Sequence, residues 1–139
     1  HDLGRVVWLR GDSQRDTFEE IVVASGLGRV ADVRPGDLDG DGKVDLVVAD
    51  FGLHTTGQVL LLQNTSSSGS IPDFLPRQID PRPGAIHVPV LDLDGDGRLD
   101  FLALISQEYE CVEAYINAGV EDPVAQCHPF LLGGPFEID

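Results

Sequence analysis

A nine-residue acidic pattern occurs twice, as Asp37-Leu-Asp-Gly-Asp-Gly-Lys-Val-Asp45 and as Asp92-Leu-Asp-Gly-Asp-Gly-Arg-Leu-Asp100, with an offset of 55 residues. Such a recurrence marks a repeat architecture, in which each unit buries its apolar face against its neighbours. A short alternating segment precedes each copy, at 29–35 and 85–90. An apolar run follows each, Val44-Asp-Leu-Val-Val-Ala49 and Leu99-Asp-Phe-Leu-Ala-Leu-Ile105. A second apolar segment then ends in Asn, Gln58-Val-Leu-Leu-Leu-Gln-Asn64 and Cys111-Val-Glu-Ala-Tyr-Ile-Asn117, and fourth segments lie near 74–79 and 124–132. The runs are short, rich in Val, Leu and Ile, and bounded by Gly, Pro, Asp and Ser, which is the pattern of β-strands.

The N-terminal part keeps the same register. Arg5-Val-Val-Trp-Leu9 resembles the third strand of a unit and 18–23 the fourth. Four short antiparallel strands in about fifty residues make one blade of a β-propeller. The expected fold is therefore all-β, with four-stranded antiparallel propeller-type blades: about two and a half of them, a partial β-propeller. The boundaries are 1–28 for a partial blade made of outer strands, 29–80 for a blade with the first acidic loop, 81–132 for a blade with the second, and 133–139 for a tail. The tail is read as the start of a next blade or a segment that completes a partner's. Residues 65–70 form an exposed Ser/Gly-rich loop and 81–84 a turn between units.

The acidic loops carry the chemistry. Carboxylates at positions 1, 3, 5 and 9 converge if the loop curls, and the glycines at positions 4 and 6 permit that curvature. The first loop offers Asp37, Asp39, Asp41 and Asp45 with the Lys43 carbonyl; the second offers Asp92, Asp94, Asp96 and Asp100 with the Arg98 carbonyl. An anionic, flexible, all-oxygen set suits Ca²⁺, whereas Mg²⁺ demands tighter octahedral geometry and keeps more water. Two Ca²⁺ sites are expected. An EF-hand would need a bidentate acid at position 12 and flanking helices. Val48 and Ala103 hold that position, and the flanks read as strands.

Composition narrows the remaining classes. Hydrophobic residues make up 42% and charged residues 24%, enough for a core. The formal charge of −15 repels a phosphate backbone, so nucleic acid is excluded as a partner. No apolar stretch is long enough to span a membrane as a helix. The chain starts at His1 and contains no Met, so it is expected to be a processed form or a piece of a longer protein. No Gly-x-Ser-x-Gly, P-loop or Gly-x-Gly-x-x-Gly occurs, and the acids are committed to the cation loops, so no enzyme is expected in this segment. His54, His87 and His128 are dispersed, and Trp8 reads as packing between strands. Asn64-Thr-Ser66 is a glycosylation sequon on an exposed loop.

Asp-Leu-Asp-Gly-Asp-Gly-x-x-Asp-Leu/Phe, then an apolar strand, then Val-x-x-x-x-Asn, resembles the FG-GAP/VCBS repeats, and the VCBS branch more closely. The integrin-type Phe-Gly and Gly-Ala-Pro flanks do not stand in place here, so the resemblance does not extend to integrin-like ligand recognition. It implies a calcium-binding β-propeller, with the metal loop joining the first two strands of each blade and the eight aspartates and two carbonyls above as ligands. It also implies an extracellular or cell-surface setting. Cys111 and Cys127 would lie on neighbouring strands of one hairpin, and that setting favours a disulfide between them. The function expected is a non-catalytic, calcium-stabilised scaffold for adhesion, display or assembly. The alternative is a blade segment of a larger secreted enzyme or glycan-binding protein whose groove lies elsewhere. Partners would be further blades of a longer parent chain or further copies, joined head to tail into a filament if the array does not close.

Overall fold

The computed structural model describes residues 3–53, 55–67, 71–119 and 128–131. Among them there are strands and turns, with no helix and no closed barrel. β1 (Gly4–Asp12) and β2 (Thr17–Leu27) form an antiparallel hairpin. β3 (Val30–Gly36), β4 (Asp45–Asp50), β5 (Gln58–Asn64) and β6 (Phe74–Asp80) form a four-stranded antiparallel meander. The last sheet runs β7 (Ala85–His87) and β8 (Val90–Leu91), both on β9 (Asp100–Ile105), then β10 (Cys111–Ile116) and β11 (His128–Leu131).

The expected strand at 85–90 is thus two short pieces. Pro89 interrupts it, because proline has no N–H for the ladder. Its carbonyl still accepts the N–H of Leu102 at 3.0 Å, so the break keeps its place beside β9.

The middle sheet is buried on both faces, which explains why β4 and β5 read as continuous apolar runs rather than alternating ones. Val47, Ala49, Val59 and Leu61 meet Ala85, Val88, Phe101, Ala103 and Tyr115 of the last sheet. Val48, Leu60 and Leu62 face the hairpin through Val6 and Leu27. Each fully buried aliphatic side chain contributes about 1.5–3 kcal/mol, so the middle sheet anchors both neighbours. The hairpin covers its face only in part. A groove of about 580 Å³ remains, lined by Val6, Trp8 and Val23 on one side and Val33, Leu46 and Phe74 on the other.

Polar contacts reinforce the junction of the two larger sheets. Asp80 at the end of β6 accepts a hydrogen bond from the Tyr115 hydroxyl on β10 at 2.6 Å, and Arg82 pairs with both Asp80 and Glu113. Asp32 on β3 holds His87 Nδ1 at 2.6 Å and accepts the Val88 N–H at 3.1 Å.

The expected Cys111–Cys127 bridge involves a residue outside the described ones. Cys111 is a buried free thiol, and Cys127 lies outside the described residues. β11 starts at His128, which pairs with Ile116, five residues along β10 from Cys111.

Candidate metal centre

Each acidic loop joins the first strand position of a sheet to the next strand: β3 to β4, and β8 to β9. The two loops are built alike, hydrogen bond for hydrogen bond. The first-position carboxylate turns inward and closes the curl. Asp37 Oδ1 accepts the N–H of Gly40 at 2.8 Å and Oδ2 that of Gly42 at 2.9 Å; Asp92 accepts those of Gly95 and Gly97 at 2.8 and 2.9 Å. Gly40, Gly42, Gly95 and Gly97 all have φ between +76° and +89°, which makes the tight curl accessible without strain.

The ninth position is the anchor. Asp45 and Asp100 are buried, and each takes two backbone N–H groups with its two oxygens. Asp45 accepts from Leu38 and Asn64, both at 2.8 Å. Asp100 accepts from Leu93 and Asn117, both at 2.7 Å. Burial pushes the Asp45 carboxyl above the usual carboxylate range despite the Asn64 and Leu38 N–H groups, and the nearby Asp39 and Asp41 add to the effect.

Three of the four aspartates in each loop converge. Asp37, Asp39 and Asp45 each present an oxygen within 4.8 Å of the others, and so do Asp92, Asp94 and Asp100. Oxygens around one Ca²⁺ lie about 2.3–2.6 Å from it, so this mutual spacing fits a single coordination sphere. The donor chemistry, carboxylate oxygen throughout, fits the same ion.

Asp41 and Asp96 fall outside these groups of three, and each pairs with the base two residues on. Lys43 Nζ lies 2.8 Å from Asp41, and Arg98 pairs with Asp96. Hydrogen bonding to Lys43 holds the Asp41 carboxyl below its usual range, and the same contact raises the Lys43 ammonium.

Sequence reasoning missed the role of the asparagine that ends the second strand of each unit. The Asn64 amide nitrogen donates to the Val44 carbonyl at 3.0 Å, and that of Asn117 donates to the Leu99 carbonyl at 3.3 Å. Both therefore fix the residue before the anchoring aspartate. The signal was present in the recurrence of Asn at the same place in both units. At Asn64 this bond also engages the nitrogen to which a glycan would attach. Gln63 adds a further polar contact, donating to Asp39 at 2.9 Å.

The remaining candidates are scattered. His87 pairs with Asp32, His54 lies outside the described residues, and Trp8 lines the groove beneath the hairpin. Residues 37–103, which take in both acidic loops, match the sequence model of the FG-GAP-like repeat. No curated protein and no solved structure matches the chain.

Proposed function

We propose that this chain, whose residues 37–103 match the FG-GAP-like repeat, is a calcium-stabilised β-propeller module with a structural rather than catalytic role. Each acidic loop holds one Ca²⁺. The observation that carries this reading is the duplicated convergence of three carboxylates in loops with the same hydrogen-bond plan. Without a cation those carboxylates repel one another, offset by backbone N–H groups and, at Asp39, by the Gln63 amide. With one, the ion joins the start of the loop to the anchoring aspartate and so fixes the crossing between two strands.

In this reading the two larger sheets are blades and the hairpin is the outer half of another, so the chain supplies about two and a half blades. The groove beside the hairpin is the place where further strands pack, from a longer parent chain or from another copy. The setting is extracellular, where free calcium is abundant, and the role is adhesion, display or assembly. The groove also supports a second reading, in which Trp8 and its apolar neighbours belong to a larger secreted enzyme or glycan-binding protein.

Thermal unfolding in calcium and in chelator tests the structural role of the ion. At a hundredfold excess over the dissociation constant each site adds about 2.7 kcal/mol, so a clear rise in Tm with calcium is expected. Equal Tm values in the two conditions would defeat the reading.

A further inference from the structure

The two acidic loops are neighbours in space. They border a cleft of about 230 Å³, with Asp37 and Asp39 on one side and Gly97 and Arg98 on the other. Asn117 closes its floor and is almost fully buried, with 3% of its surface exposed. Its carboxamide does what Asn64 does in the first unit, donating to the residue before the anchoring aspartate. It also does something Asn64 does not show: Nδ2 donates across the cleft to the Leu38 carbonyl of the first loop, at 2.5 Å.

That contact completes a relay between the two anchoring aspartates. Asp45 Oδ2 holds the N–H of Leu38 at 2.8 Å, and the Leu38 carbonyl is held by the Asn117 side chain. The backbone N–H of Asn117 in turn is held by Asp100 Oδ1 at 2.7 Å. Every group in the relay is buried, so none exchanges its partner for water without cost. The Leu38 side chain is itself part of the core shared by the two larger sheets, which limits how far its peptide group can move independently. Arg98 clamps the far end by donating from Nε to the Asn117 carbonyl at 3.1 Å.

We infer that Asn117 couples the two loops, so that calcium binding at one raises the affinity of the other. This inference rests on the calcium reading above. An ion that pulls on Asp45 settles the Leu38 N–H and, through the Leu38 backbone, the carbonyl that holds the Asn117 carboxamide. The second loop then meets its own ion with the Asn117 backbone N–H already aligned on Asp100. Ordering the shared residue once, rather than twice, makes the second binding event less costly. Plain Coulomb interaction acts the opposite way, since loading one loop removes negative charge that attracts the second ion. Salt screens that term, while it leaves a buried hydrogen-bond relay largely untouched. Coupling must be reciprocal, the first loop helping the second by the same factor as the second helps the first.

Calcium titration calorimetry on the full chain tests this, at physiological salt and at 1 M salt. Disabling the first loop with Asp37→Asn/Asp39→Asn is expected to weaken the second loop at least about fivefold, the lower range of typical allosteric coupling. Asp92→Asn/Asp94→Asn should weaken the first loop by the same factor. In an Asn117→Ala background both effects should fall below about twofold, whereas Asn64→Ala should leave the coupling ratio intact. High salt should not abolish the coupling. If Asn117→Ala folds poorly, amide resonances provide a second route: in the Asp37→Asn/Asp39→Asn protein, calcium should shift both the Leu38 N–H and the Asn117 side-chain amide. Two ions binding independently, or coupling that survives Asn117→Ala, or an unmoved Leu38 resonance, would overturn the inference alone. A chain that binds no calcium in any form would defeat the calcium reading and this inference together.

Discussion

Replacing Arg82 by Met should be among the most damaging single changes outside the loops. The Arg82 side chain is 24% exposed, while those of Asp80 and Glu113 are only 7% and 6% exposed. Both carboxylates contact one guanidinium, and both accept from the Tyr115 hydroxyl, at 2.6 and 3.0 Å. Their oxygens therefore stand within roughly 6 Å of each other, where two like charges repel by about 3 kcal/mol at an effective dielectric near 20. Removing one partner of a buried ion pair typically costs about 3–5 kcal/mol, or roughly 10–20 °C in Tm for a domain of this size. In the wild type, burial alone would raise Asp80. The Arg82 and Tyr115 hydrogen bonds outweigh it and hold the carboxyl below its usual range. A depressed carboxylate stabilises the fold above its unfolded pKa and loses that contribution as pH falls through the folded one, so the wild-type cluster weakens only below about pH 4. In Arg82→Met the sign reverses for Asp80: burial, no longer offset by the guanidinium, favours its protonated form, and stability should rise as pH is lowered from 7 to 5. Urea unfolding at both values reads this directly, and Asp80→Asn/Arg82→Met/Glu113→Gln should recover most of the loss. An Arg82→Met protein within about 1 kcal/mol of wild type at pH 7, with no gain at pH 5, would refute the reasoning.

Gly52→Ala should be strongly destabilising in a thermal melt. A Cβ there would lie 1.5 Å from the Thr56 carbonyl oxygen, and φ is +71°. Lys43→Gln should tighten the first site severalfold in a calcium titration by releasing Asp41, which the ammonium now holds at 2.8 Å. Asp32→Asn should loosen the β3–β7 contact and lower Tm by a few degrees. Burial alone would raise the Asp32 carboxyl, but the Val88 N–H, Arg34 and His87 hold it below its usual range, so this loss should be full at pH 7 and vanish as pH falls below about 4.

Much of the strand plan was legible because it rests on local signals. Val47 to Ala49 and Val59 to Leu62 are apolar without interruption, and sheets buried on both faces require that. The acidic loops were legible because spacing alone makes the carboxylates converge. Their finer geometry was not, since it depends on a competition between neighbours: Lys43 and Arg98 engage Asp41 and Asp96, leaving three aspartates together in each loop. Asn117 was visible as a recurring residue but not as a bridge, because its partner Leu38 is 79 positions away. The Asp80, Arg82, Glu113 and Tyr115 cluster was invisible for the same reason, its members being assembled by the packing of two sheets. The split between β7 and β8 lay in plain view at Pro89, but a short alternating segment masks a one-residue break.

Counting bound calcium after equilibrium dialysis tests the central claim most directly. The wild-type chain should hold two ions, Asp37→Asn/Asp39→Asn one, and the combined variant with Asp92→Asn/Asp94→Asn none. A wild-type chain that retains no calcium, or a combined variant that still retains two ions, would contradict the account.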